Sequence, residues 1–290
     1  MDAKSTLRVI VRLSGGLGNQ LFQYAMARRL SLKHGAVLEL DCGAFESDTK
    51  RRFELHAFAY PSQLVIRSIQ METRGLFRRR WAEPLETIRE KHFHFDADAF
   101  SAPLHKSVHV TGYWQTEKYF KDVESHIRQD LAFVEVPDDA NQRMLDKITS
   151  SRAISVHFRR GDYVSEKHTA DYHGVPPEAY YSRAIAWIAE RVSGSECFIF
   201  SDDPHWIKQH VNIQLPMTVV DINSPLKPAA DLRLMAACRH HVLANSTFSW
   251  WGAWLNPRTD KLVVAPNRWF LGAPSDPKDL LPAGWRGLDA

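Results

Sequence analysis

From residue 153 toward the C-terminus, short apolar runs alternate with stretches long enough to form helices. This rhythm narrows the accessible folds more than any other feature. Strand candidates stand at Ala153 to Phe158, Cys197 to Phe200, Thr218 to Ile222, His241 to Ala244 and Lys261 to Ala265. Helices fit between them at about Pro177 to Val192, Pro204 to His210, Ala229 to Cys238 and Thr247 to Leu255. Such alternation makes a doubly wound parallel sheet, in which ligands bind beyond the carboxyl ends of the strands. The chemistry is therefore expected in the residues that follow each strand.

The N-terminal half opens in the same way. Leu7 to Leu13 reads as a strand, Ser14-Gly15-Gly16-Leu17-Gly18 as a turn, and about Asn19 to His34 as a helix closed by Gly35, the usual residue for a left-handed cap. Val37 to Leu40, ending at Asp41, is a second strand, and the unit favours parallel pairing with a right-handed crossover. No period orders residues 45 to 105. A strand at Val108 to Thr111 and a helix from about Glu117 to Leu131 complete this half. Pro137-Asp138-Asp139 marks a break, so the 290 residues divide into a domain of residues 1–140 and a domain of residues 141–290, each large enough for its own core.

Composition excludes other classes. With 44% hydrophobic and 24% charged residues the chain is globular, and 37 Lys and Arg against 34 Asp and Glu leave a net charge of +3, which gives no footprint for nucleic acid. The basic run Arg78, Arg79 and Arg80 reads as a solvated face. Cys42, Cys197 and Cys238 are widely spaced in apolar surroundings and are expected to be reduced thiols of a cytoplasmic protein. There is no zinc-type His/Cys spacing, no apolar run near the ~20 residues of a membrane span, and Met1 to Thr6 lacks the apolar core expected of a signal peptide. A membrane-borne substrate would thus be visited peripherally from the surface.

The most informative segment is His157-Phe158-Arg159-Arg160-Gly161-Asp162-Tyr163. In a strand, Ile154, Val156 and Phe158 share one face while His157 and Arg159 share the other. The latter two emerge together at the ligand end, where a guanidinium holds phosphate by two parallel hydrogen bonds. Arg160 and Asp162 read either as part of this site or as a salt bridge pinning a turn. A second anion site lies at Asn245-Ser246-Thr247-Phe248-Ser249, where hydroxyls and unpaired amides open a helix; Asn245 or Ser246 also suits an N-cap. Trp250, Trp251 and Trp254 read as core.

Asp203 before Pro204 fits a cap followed by a first-turn proline, and the Asp202-Asp203 pair has too few companions for a metal site. Asp231 either caps a helix or points a carboxylate at a base with amino donors. Gly16-Leu17-Gly18 followed by Leu21 departs from the dinucleotide fingerprint at its third glycine. Asp41 lies where a ribose-binding acid would stand, so an NAD-linked oxidoreductase stays open.

Four stretches, Gly15 to Ala25, Gly112 to Phe120, Val156 to Tyr163 and Asn245 to Trp254, together resemble the bacterial α-1,2-fucosyltransferases of glycosyltransferase family 11. The resemblance implies a GT-B architecture: two facing Rossmann-like domains with parallel sheets, the N-terminal one toward acceptor, the C-terminal one toward nucleotide sugar. It implies GDP-L-fucose as donor, a terminal galactoside as acceptor, and no required metal or other cofactor. Arg159 resembles the arginine gripping the diphosphate and His157 a nucleotide contact; Arg160 belongs to the same donor-binding segment. Ser246, Thr247 and Ser249 lie where related fucosyltransferases place phosphate-binding groups, and Asp231 resembles a guanine-reading carboxylate.

Inverting transfer to a 2-hydroxyl needs one base, for which Asp162 is the first candidate and Glu166 the second. Gly15, Gly16 and Gly18 allow the first loop close to the fucosyl group, while Asn19 and Gln20 hydrogen-bond donor or acceptor, or simply start a helix. Lipopolysaccharide repeats, free oligosaccharides and glycoconjugates all suit the acceptor. A non-catalytic sugar-binding protein is the third alternative.

Overall fold

The computed structural model describes residues 7–61, 64–67, 85–101, 104–161, 171–172, 174–271 and 278–289. The chain forms two compact units, Met1–Val134 and Glu135–Ala290. Arg78, Arg79, Arg80, Asp162, Tyr163 and Glu166 lie outside the described residues.

In the first unit, strand β1 (Arg8–Arg12) runs through the glycine turn into helix α1 (Leu17–His34) and strand β2 (Val37–Asp41). Gly35 takes φ +59 and its amide bonds the Ser31 carbonyl, ending α1 as expected. Short strands β3 (Val65–Arg67) and β4 (Glu86–Arg89), the single helical turn α2 (Asp98–Ser101) and strand β5 (Val108–Thr111) follow. All pairings are parallel in the order β3-β2-β1-β5-β4. Val9, Val11 and Val110 are fully buried.

The helix expected over 117–131 is broken. Two 3₁₀ turns, Glu117–Tyr119 and Lys121–Val123, precede helix α3 (Glu124–Asp130). Phe120 leaves helical geometry at φ −144 and is fully buried, its ring 6.2 Å from that of Phe22 on α1. Burial of Tyr119 and Phe120 thus outweighs the local helical preference. Asp130 closes the contact, accepting from the Tyr24 hydroxyl at 2.9 Å and Arg28 Nε at 2.7 Å.

The second unit begins with helix α4 (Asp139–Ser150), where the sequence reads as a break: Asp138 is its N-cap, accepting from the Asn141 amide at 2.9 Å. Strand β6 (Arg152–Phe158), helix α5 (Glu178–Ala189), β7 (Ser195–Ser201), α6 (Pro204–His210), β8 (Met217–Val220), α7 (Pro228–Ala237), β9 (His240–Val242), α8 (Thr247–Leu255), β10 (Val263–Pro266) and β11 (Arg286–Leu288) follow. The all-parallel order is β11-β10-β9-β6-β7-β8, so the sheet has one strand beyond the five expected.

The side chains alternate as the strand period requires. Ile154, Val156 and Phe158 pack with Tyr180, Ala184 and Ile188 of α5 on one face, while Ala153, Phe198 and Phe200 meet Ile148, Leu234 and Met235 on the other. Helices cover both faces of a parallel sheet, the architecture expected from the sequence. Trp250 and Trp251 are fully buried and Trp254 nearly so, with the Trp250 indole donating to the Leu280 carbonyl at 2.9 Å; these tryptophans are core. Trp251→Ala is expected to cost about 3–5 kcal/mol, read as a lowered urea midpoint for the second unit's unfolding.

Candidate active site

In parallel α/β folding, the carboxyl end of each strand and the start of the next helix lie on one side of the sheet. On the second unit this edge gathers His157 near the end of β6, Arg159 and Arg160 just after it, Asp202 and Asp203 after β7, Asp231 early in α7, and Ser246 and Thr247 at the start of α8. Strands β6 and β9 are neighbours, yet the helices that follow them pack on opposite faces. Their loops diverge, which opens the switch-point crevice where such folds bind ligands.

Asp202 organises this edge, and the sequence reading gave it no such role. The β6–β7 register pairs Phe158 with Ser201, bringing the next residue of each strand together. Arg159 Nη1 lies 2.7 Å from Asp202 Oδ2, and the Arg160 amide donates to Oδ1 at 2.8 Å. A Cβ on Gly161 would stand 2.6 Å from Oδ2, so a side chain there would push the carboxylate off Arg159. The Arg160 guanidinium lies 3.4 Å from the centre of the Trp206 ring, a cation–π contact that fixes its plane. Trp206 is itself anchored: Asp203 caps α6 by accepting from the Trp206 amide at 3.0 Å, with Pro204 in the first turn, as the sequence predicted.

His157 is buried beside Phe248, ring centres 5.7 Å apart, and its Nδ1 has no protein partner. Burial lowers its pKa to about 4, with Asp202 opposing and Arg159 adding to the shift. The ring is therefore neutral at physiological pH and offers a hydrogen bond rather than a charge.

At α8, Ser246 is the N-cap, its hydroxyl accepting from the Phe248 amide at 3.3 Å. Ser249 departs from expectation. It is fully buried and its hydroxyl donates to the carbonyls of Ser246 at 3.1 Å and Ala244 at 3.4 Å, so its side chain lies beneath the helix start instead of facing a ligand. Asn245 joins two loops, donating to the carbonyls of Gly174 and Trp269, both at 3.2 Å. Asp231 is not a cap, since α7 starts at Pro228. It accepts from Asn223 at 2.8 Å, and Asn223 exchanges amide bonds with Asn141 on α4. Burial raises the Asp231 pKa to about 6, with the Asn223 bond opposing.

On the first unit, Gly15 has φ +74 and Gly16 is the N-cap of α1, without a side-chain cap bond. Gly18 lies buried inside the first turn of α1, where it permits packing and lines no loop surface. Gln20 is fully buried: its amide donates to the carbonyls of Gly15 at 3.0 Å and Arg52 at 2.8 Å, and its oxygen accepts from the Glu54 amide at 2.9 Å. Gln20 thus holds the loop in place, fully buried and with both amide protons used. Asn19 is half-buried and accepts from Gln115 Nε2 at 3.0 Å. Asp41 is buried, accepts from the Gly43 amide at 3.0 Å and faces His109 at 3.7 Å, which leaves the ribose role without an exposed carboxylate.

Burial pushes the Cys42 and Cys197 thiols up to about 12, so neither serves as a nucleophile. No group of three or more potential ligands for a metal occurs among the described residues, and none of their helices is long and apolar enough to cross a membrane.

Comparison with known proteins identifies the family and the fold class. Residues 77–287 match the glycosyl transferase family 11 domain. The chain is 31% identical to the alpha-1,2-colitosyltransferase of Escherichia coli, over 96% of this chain and 97% of the relative. It is 34% identical to the O-antigen biosynthesis glycosyltransferase WbnK of Escherichia coli, over 90% and 94%. Among solved structures, the Bradyrhizobium fucosyltransferase NodZ superposes with a TM-score of 0.52 at 16% identity, covering 88% of this chain and 94% of that one. That likeness places the two parallel-sheet domains in the GT-B fold class.

The depressed His157 pKa has a consequence for stability. Between about pH 4 and 6.5 the unfolded chain binds a proton that the folded ring refuses, so the contribution of His157 is present above the unfolded pKa and is lost as pH falls through this window. Urea unfolding across this range is expected to show the fall, and His157→Gln to flatten part of it.

Proposed function

The chain belongs to glycosyl transferase family 11, and we propose that it transfers L-fucose from GDP-β-L-fucose to the 2-hydroxyl of a terminal galactoside, with inversion, in the synthesis of O-antigen or another surface glycan. The observation that carries this reading is the Asp202 clamp, which orders Arg159 and Arg160 at the same sheet edge as the α8 N-terminus. Two cationic groups and a helix start suit a diphosphate. NodZ has been solved soaked with GDP-fucose, which supports a guanosine diphosphate donor.

In this proposal the C-terminal domain binds the donor and the N-terminal domain the acceptor. Arg159 and the amides behind Ser246 and Thr247 hold the diphosphate, the neutral His157 ring contacts the nucleotide, Arg160 supports the phosphate site and Asp231 reads guanine. The acceptor oxygen bonds to the sugar C1 as the C1–O bond to phosphate breaks. Its proton passes to a carboxylate, first Asp162 and second Glu166, and the electron pair leaves with GDP. The charge developing on GDP meets a prepared electrostatic site, so no metal is invoked. Gly15 and Gly16 bring the first loop close to the fucosyl group, and Asn19 offers its amide to donor or acceptor. The enzyme works at the cytoplasmic face and touches the membrane peripherally when its acceptor is lipid-linked.

The colitosyl relative poses a sharp question of donor. Colitose is fucose without its 3-hydroxyl, and a site that hydrogen-bonds that hydroxyl rejects the analogue strongly. A higher kcat/KM for GDP-fucose than for GDP-colitose supports the proposal; the reverse order corrects the donor.

Arg159→Lys is expected to lower turnover with GDP-fucose about 10²-fold or more while the fold persists, and wild-type turnover is expected to survive excess chelator. Near-normal activity of the variant would remove Arg159 from the mechanism, and stabilisation by NAD instead of GDP in a melting assay would return the oxidoreductase reading.

The raised Asp231 pKa of about 6 provides a separate test. Guanine donors need the carboxylate form, so GDP-fucose binding by titration calorimetry is expected to tighten as pH rises through about 6, and to lose that dependence in Asp231→Asn.

A further inference from the structure

The carboxyl ends of β4 and β5 in the first unit form a second constellation at which the mechanism above places no residue. Glu90 directly follows β4, its amide donating to the Thr111 carbonyl at 2.9 Å. Its carboxylate accepts from two successive backbone amides, Tyr113 at 2.7 Å on Oε2 and Trp114 at 2.9 Å on Oε1. The turn is shaped around it. A Cβ on Gly112, whose φ is +149, would lie 2.4 Å from the Glu90 Cβ, and Trp114 has φ +59, the one positive value among the described non-glycine residues. Such strain persists only where its surroundings enforce it, and here fully buried Trp114 is anchored edge-on against Tyr119 at 5.2 Å.

Anchoring Trp114 leaves its two neighbours at the site. Tyr113 is 46% exposed, and Gln115 is 8% exposed, with its amide nitrogen on Asn19 and its oxygen without a protein partner. Glu90 is half-buried; a carboxylate offers about four acceptor positions, and the backbone takes two of them. A carboxylate bound to the Tyr113 amide repels a diphosphate yet suits a neutral polyol, whose hydroxyls donate to carboxylate and amide oxygens and whose apolar face can cover the exposed Tyr113 ring.

We propose that Glu90, Tyr113 and Gln115 form the subsite that binds the acceptor galactoside, the Glu90 carboxylate and Gln115 oxygen accepting from its hydroxyls while the Tyr113 ring packs against the sugar. This assignment rests on the proposed transferase reading.

Glu90→Gln and Tyr113→Ala, with methyl β-galactoside and lactose as acceptors, test it. Each is expected to raise the acceptor KM at least about tenfold, as loss of a hydrogen bond to a charged group or of a stacking face does. The donor KM, the melting shift with GDP and the slow hydrolysis of GDP-fucose without acceptor are expected to stay at wild-type values. Tyr113 is exposed, so its variant keeps the test open if Glu90→Gln fails to fold. An unchanged acceptor KM in Tyr113→Ala, or a donor KM that rises in parallel, overturns the assignment. If wild-type protein transfers sugar from neither GDP-fucose nor GDP-colitose, the transferase reading has failed instead. Saturation-transfer NMR with methyl β-galactoside then decides the subsite: contact in wild type that Tyr113→Ala loses upholds it, and no contact in wild type removes it.

Discussion

The carboxylate of Asp202 is the constraint on which the strand-end edge of the second unit depends. A guanidinium at a strand end has many conformations, and ordering one costs up to about 2 kcal/mol of side-chain entropy. Here one oxygen of Asp202 holds Arg159 and the other holds the amide that carries Arg160. The cost is met during folding, before any ligand arrives. The same carboxylate also tempers the positive field, since an unneutralised arginine pair next to buried His157 would be difficult to keep in place.

Glu90 plays the equivalent part on the other unit, with a different chemical outcome. It too is a carboxylate just beyond a strand, pairing with groups from the neighbouring strand's loop, and it too is fitted around a glycine. Its partners are amides instead of a guanidinium, so the surface retains negative character. One architecture used twice thereby leaves guanidinium groups at one strand edge and a carboxylate at the other.

Much of the fold was readable in the residues. The run from β1 through the glycine turn to the Gly35 cap follows local rules, and the strands and helices after residue 150 fall within a few residues of expectation except for the three-residue β11. The failures have a common physical origin in long-range packing. Tyr119 and Phe120 break a helix because α1 offers them burial, and β3 and β4 are too short for any period to show. Asp138 marks a break or a cap with equal ease until a helix is seen behind it. At the site, Arg159, Asp203 and the α8 cap follow from strand alternation and capping preference. Asp202 does not, because its role is set by the parallel register of two strands, and a single chain carries no mark of which distant residues will lie side by side. Ser249 and Gln20 differ from their ligand-facing expectation, Gln20 matching its alternative as part of a helix start, for a related reason: polar character is visible in a sequence, but whether it faces a ligand or the interior is settled by packing.

The Asn141–Asn223–Asp231 chain has a consequence for dissecting the molecule. Asp231 lies on α7, yet its support reaches back through Asn223 to the first turn of α4, and Asn141 is itself fixed by the capping Asp138. A fragment meant to preserve the surroundings of Asp231 therefore has to start ahead of Asp138. Cut at residue 141, it would keep every strand of its sheet while losing the cap at one end of this relay.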